Sequence, residues 1–115
     1  MNDMEKINIH QVEPIGMPIY EMKKMFIKQG NFKEVSMSVI SLTPGERIPA
    51  VGMSCHEEDE YSYIFSGEVD TFCNGKYSVE KAGDATFIPS GEEHWCINNG
   101  SEPCMLVCFM VKKAE

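Results

Sequence analysis

The chain has 115 residues, 43% of them hydrophobic and 10% aromatic, which is enough for one domain with a real core and short for two. Ten basic against eighteen acidic residues leave a formal charge of -8, which opposes the attraction behind most nucleic-acid and anionic-membrane binding, so neither is an expected partner. With no 18-residue apolar run, no basic-then-apolar start, and five cysteines that lack Cys-x-x-Cys spacing, the composition suits a soluble cytoplasmic protein with reduced thiols.

The first six residues are polar. Ile7 and Ile9 alternate weakly with Asn8 and His10, as in an edge strand, and His10 reads as a surface residue. Between Met17 and Gln29 the spacing of Met22, Met25 and Phe26 is helical, but the β-branched and aromatic neighbours and the Gly30-Asn31 stop favour an extended segment. From Phe32, Val35, Met37 and Val39 alternate with Ser36 and Ser38 until Thr43-Pro44-Gly45-Glu46 closes the run as a turn. Further strands are predicted over 61–65, 68–73, 76–79, 85–88, 95–97 and 104–111, with Asn74-Gly75 as a hairpin turn between the second and third of these. This rhythm of strands and turns, with no convincing helix, indicates an all-β sandwich or barrel. Residues 1–34 are expected to supply N-terminal strands and a dimerisation segment, 35–111 the barrel core, and 112–115 a tail.

Two stretches carry chemistry. In the one from Gly83 to Asn98, Pro89 fixes φ, Gly91 can take φ > 0 and a β-type run follows, so a sharp turn feeds His94 into a strand. His94, Cys96 and Asn98 then share a face, and if it lines a cavity His94 is a ligand or an acid/base. Upstream, His56 precedes four consecutive acids, Glu57 to Glu60. Such a run is most often a solvated turn, which breaks the alternation and hides which acid points inward. A histidine beside it is commonly exposed and paired, and a solitary buried histidine is commonly a hydrogen-bonded core residue. A Cys96 thiolate would favour a thiophilic metal such as Zn, yet cysteine is more often simply buried, as expected for Cys104 and Cys108; Cys55 should face away from His56. The nine methionines, with Tyr61, Tyr63, Phe65, Phe87 and Trp95, read as adaptable core or dimer packing, a few of them lining an apolar pocket.

At the spacing Gly-x5-Pro-x-Gly-x2-His-x3-Asn, residues Gly83, Pro89, Gly91, His94 and Asn98 make this stretch resemble the second signature motif of the cupin superfamily at every defining position. The upstream stretch resembles the first motif, His-x-His-x3-Glu-x6-Gly, at His56, Glu60 and Gly67, but Ser54 stands at the first histidine position and extra residues occupy 50–53. The resemblance spans roughly 35–111. It implies a small RmlC-like double-stranded β-helix, or jelly roll, usually dimeric, with His56, Glu60 and His94 as metal ligands and Ser54 in place of a fourth. It also implies that Gly67, Gly83, Pro89 and Gly91 shape turns, while Ser54, Cys96 and Asn98 are expected as additional pocket residues. Two neutral imidazoles and a carboxylate fill one side of an octahedral ion and leave the other open, so one divalent transition metal (Fe, Mn, Ni or Zn) and a small oxygenated ligand are expected.

Three functions follow, and the sequence leaves open whether the protein is an enzyme. The first is a metal-dependent isomerase, lyase or dioxygenase. The second is a sensor or binding module, because 56–111 is similar to the effector-binding cupin domains attached to helix-turn-helix regulators. The third is a metal-free sugar-nucleotide epimerase with a histidine base, for which no basic phosphate-binding cluster is evident. A homodimer is expected, since apolar side chains on both strand faces would otherwise leave an exposed patch.

Overall fold

A computed structural model describes residues 4–16, 21–22, 25–28 and 30–114. Its elements in chain order are β1 (Glu5–Asn8), a 3₁₀ turn (Ile9–Gln11), β2 (Ile15–Gly16), β3 (Glu21–Met22), β4 (Phe32–Leu42), β5 (Arg47–Ile48), β6 (Asp59–Ser66), β7 (Glu68–Cys73), β8 (Lys76–Lys81), β9 (Asp84–Ile88), β10 (His94–Ile97) and β11 (Cys104–Lys113). The architecture is the all-β jelly roll. A five-stranded antiparallel sheet in the order β1-β9-β6-β11-β4 faces a four-stranded one in the order β5-β10-β7-β8. Of the segment 17–29, expected to be extended, Glu21–Met22 is strand and 25–28 is irregular, and residues 17–20, 23, 24 and 29 lie outside the described residues. Among the described residues, no helix is long and apolar enough to cross a membrane.

The Asn74-Gly75 turn sets the register of the smaller sheet. Both residues take left-handed backbone, φ 52° and 76°, and the two-residue loop pairs Cys73 with Lys76, Thr71 with Ser78 and Val69 with Glu80. The chain crosses between the sheets at Gly67, at φ 77°, where the backbone runs so close to Pro103 and Cys104 that a side chain would collide with them. It returns at the Ala82-Gly83 turn, where the Gly83 amide donates to the Ile64 carbonyl at 2.9 Å.

Alternation then sorts the side chains. Leu42, Ile64, Val69, Cys104, Leu106 and Cys108 form the buried core between the sheets. Opposite parity places Tyr61, Tyr63, Val107 and Phe109 on the outer face of the larger sheet, where Phe26 packs on Tyr61 and Phe87 with centroids 6.2 and 6.1 Å away. In β4 the predicted alternation is present with its apolar members outward. The register sets Ser38 against Cys108 of the inner face, so Val35, Met37 and Val39 project away from the barrel and are 58%, 63% and 62% exposed. At the C-terminal end, β11 continues past 111, pairing Lys112 with Glu34 and Lys113 with Phe32.

Candidate metal centre

The predicted turn at Pro89 and Gly91 does more than aim His94. Its backbone is stitched to the His56 segment: the Gly91 amide donates to the His56 carbonyl at 2.9 Å, and the Ser90 amide to the buried Asp59 carboxylate at 2.9 Å. The Ser54 and His94 backbones exchange two hydrogen bonds, 2.7 and 2.9 Å, as an isolated antiparallel bridge. Segments thirty to forty residues apart are thereby held in register. Glu60 enters from β6, paired on one side with Ile88 and on the other with Met110, so its side chain points into the barrel.

Both imidazoles are held by the same device. His56 Nδ1–H donates to the Glu58 carbonyl at 3.0 Å and His94 Nδ1–H to the Glu92 carbonyl at 2.9 Å. A backbone carbonyl accepts only, so these bonds fix the tautomer and leave each Nε2 as a free lone pair. Those atoms converge on Glu60 Oε1, His56 Nε2 at 3.4 Å and His94 Nε2 at 3.6 Å, with the rings edge to face at 5.0 Å. Among the described residues, His56, Glu60 and His94 form the one set of three His, Cys, Asp or Glu side chains whose donor atoms all lie within 4.8 Å of one another.

Three acceptors meeting with no donor between them repel unless a cation or protons intervene. In the metal-free protein the arrangement favours protons at Nε2. The Glu60 hydrogen bond raises His56 above its usual range. Burial pulls His94 down, but Glu60 and the Glu92 carbonyl outweigh it and the net shift is upward. Burial likewise pushes Glu60 up, and the two imidazoles override it, holding the carboxyl at about 2. The donor set also fits a divalent transition metal, since two imidazole nitrogens and a carboxylate oxygen within 4.8 Å of one another are ligands such an ion would take. Carbonyl-anchored imidazoles are the usual outer shell of such ions.

The other expected residues divide. Cys96 lines a cavity of about 50 Å³ with Glu60, His94, Ile64, Val69 and Leu106. Its thiol, pushed up to about 12 chiefly by burial, is protonated and stands outside the three-residue set. Ser54 is half-buried opposite His94 and does not line the cavity. Asn98, expected to share the face of His94 and Cys96, lies beyond the end of β10 and is fully buried elsewhere. Its amide donates to the Leu42 and Glu102 carbonyls at 2.9 and 2.8 Å and accepts from the Gly100 amide at 2.8 Å, so it ties loops together and does not line the cavity. Of the four acids, Glu57 pairs with Lys112 at the surface and Asp59 is spent on Ser90 and Lys113. Sequence reasoning passed over Glu80, which is buried in the same cavity; the hairpin register was the signal that could have found it.

Residues 38–110 match the family model for the cupin domain. Among solved structures, a protein from Thermus thermophilus (21% identity over 96% of this chain and 85% of that one, TM-score 0.61) and an RmlC-like cupin from Shewanella frigidimarina (23% identity, 71% and 69%, TM-score 0.60) are similar in fold. A predicted oxalate decarboxylase from Thermotoga maritima is 34% identical over 66% of this chain, with a TM-score of 0.60, and this chain spans 64% of its length, just under two thirds. No curated protein matches in sequence.

Proposed function

The chain belongs to the cupin family, and from that premise we propose that it binds one divalent transition metal, Fe, Mn, Ni or Zn, through His56 Nε2, His94 Nε2 and Glu60. The open side of that ion takes a small oxygenated organic ligand. One observation carries the reading: two carbonyl-fixed imidazoles aim their free Nε2 atoms at a single carboxylate oxygen, 3.4 and 3.6 Å away. Bound there, the ion supplies Lewis-acid polarisation of a chelated oxygen, the chemistry that isomerases, lyases and oxygenases require. The chain's own residues do the rest. Glu60 offsets the cation's charge, the Glu58 and Glu92 carbonyls fix the ring orientation with Nε2 toward the ion, and Ile64, Ile88 and Leu106 keep water scarce around the ligand. Tag-free protein purified without chelators should carry near-stoichiometric metal by ICP-MS, and His56→Ala and His94→Ala should lose it. A metal-free wild type whose melting temperature none of the four ions raises would sink the reading.

The protein also pairs with a second copy of itself, in this reading, through the outer face of β4 and β11. Val35, Met37 and Val39, each more than half exposed, lie beside Phe109 at 37%, on an edge strand of eleven residues. An apolar face with an unpaired edge favours association, and a self-complementary patch on one strand suits two-fold symmetry. Light scattering at tens of micromolar should give a dimer that Met37→Lys converts to monomer. A monomeric wild type would count against it.

A further inference from the structure

Glu80 has no part in the metal centre, yet it stands in the same cavity. The hairpin register places it across from core residue Val69, and it follows Val69 inward: it is 1% exposed and lines the cavity with Glu60 and His94. One carboxylate oxygen is engaged, since Oε2 accepts from the Ser78 hydroxyl at 2.6 Å and lies 3.7 Å from the Lys6 ammonium, which itself donates to the Val79 carbonyl at 3.0 Å. The other, Oε1, is buried without a hydrogen-bond partner among the described residues. A buried acceptor left without a donor is costly, the more so on a carboxylate, and it marks a place where a donor from outside the chain belongs. The surroundings agree in chemistry. Thr71, Thr86 and Ser62 bring hydroxyls to the cavity, and the Ser62 hydroxyl, with the Cys108 thiol beside it, is also without an oxygen or nitrogen partner among the described residues. Along β7, Val69 lies four residues from Cys73, the partner of His94, or roughly 13 Å at about 3.3 Å per residue. Glu80 and the imidazoles therefore mark opposite ends of the cavity.

We propose that Glu80 determines ligand specificity by accepting a hydroxyl or ammonium hydrogen from the far end of the ligand. The ligand is then a small neutral or cationic polyhydroxy or amino compound, bound at its near end by chelating oxygens, and dicarboxylates are disfavoured. A fixed carboxylate in a mostly apolar cavity repels a second anion, and specificity is set as much by that repulsion as by the new hydrogen bond. The near end rests on the metal reading above; the far end rests on Glu80 alone.

The test is calorimetric titration of wild type and Glu80→Gln, each with its metal content measured, using erythrulose, a neutral hydroxyketone, and oxalate, a dianion with no hydrogen to donate. Wild type should bind erythrulose more tightly than oxalate. Glu80→Gln, with metal retained, should shrink that preference by about tenfold or more, as expected for loss of a charge-assisted hydrogen bond. An unchanged preference with metal retained, oxalate as the tighter wild-type ligand, or no erythrulose binding at millimolar concentration overturns the inference and leaves the metal reading standing. Should the wild type prove metal-free, the metal reading fails, and Glu80 is tested by thermal shift with erythritol: stabilisation of wild type but not of Glu80→Gln supports it, and equal response overturns it. Should Glu80→Gln not fold, the wild-type preference alone decides.

Discussion

Both acid and alkali should destabilise the metal-free protein, and Glu60 sets the scale. Its carboxyl lies at about 2 against an ordinary 4.5, because the two imidazoles outweigh the effect of burial. At 1.36 kcal/mol per pH unit, that difference is worth roughly 3 kcal/mol. A lowered carboxyl contributes fully above its unfolded value near 4.5, and the contribution is lost as pH falls towards 2. The histidines carry the opposite sign. Both are raised above 6.5, so their contribution is complete below that value and disappears as pH climbs through the raised ones. Urea unfolding in EDTA should therefore give a maximum between about pH 4.5 and 6.5. Glu60→Gln, which keeps the shape and removes the charge, should flatten both limbs by up to about 3 kcal/mol. Saturating metal should reverse the alkaline limb, since it competes with protons for Nε2 and binds better as pH rises. Parallel profiles for EDTA-treated wild type and Glu60→Gln across this range would refute the coupling of the three groups.

Gly67→Ala places a methyl group against the Pro103 carbonyl and 2.9 Å from the Cys104 Cα, at φ 77°, and should cost about 3 kcal/mol or more in urea unfolding. Asn98→Ala leaves the Leu42 and Glu102 carbonyls and the Gly100 amide unpaired and should cost about 2–4 kcal/mol, with metal content unchanged. Iodoacetamide at mildly alkaline pH should label exposed Cys55 first. Cys96, pushed up to about 12, and Cys104 and Cys108, pushed up to about 11, all chiefly by burial, should stay unmodified in peptide maps of the native protein. Rapid native labelling of Cys96 would show the cavity to be far more open than its packing indicates.

Where local chemistry determines backbone shape, the fold was legible in the sequence. Asn74-Gly75 announces a hairpin because few other pairs accept two left-handed residues, and the turn at Pro89 and Gly91 delivers His94 as its composition suggests. The acidic run was not legible by periodicity, because two of its members turn inward for different reasons. Asp59 anchors the Ser90 amide while Glu60 enters the cavity, and only the interval to Gly67 distinguished them. Asn98 keeps backbone bonds to Gly45 and Glu46, but its amide is spent on the Leu42 and Glu102 carbonyls, which alternation along one strand does not foresee. The outward apolar face of β4 was hidden for a related reason: alternation separates two faces but does not say which one is inside, and the register with β11 decides.

The same ambiguity explains Glu80. In β8 the large apolar residue Tyr77 is 56% exposed, while Glu80 on the opposite parity is buried, so a reading that turns apolar residues inward inverts this strand. Two facts available from the sequence correct it. The two-residue turn forces Val69 to pair with Glu80, and Val69, Thr71 and Cys73 share the parity that the core requires. If Val69 faces inward, its partner must follow, whatever its charge. A strand that buries a carboxylate and exposes a tyrosine has given up stability at that rung, and local rules broken in this way concentrate where a chain binds something. Among the described residues, two carboxylates line the cavity, Glu60 and Glu80. The first has two imidazoles aimed at its carboxylate, and the second has a carboxylate oxygen still awaiting its donor.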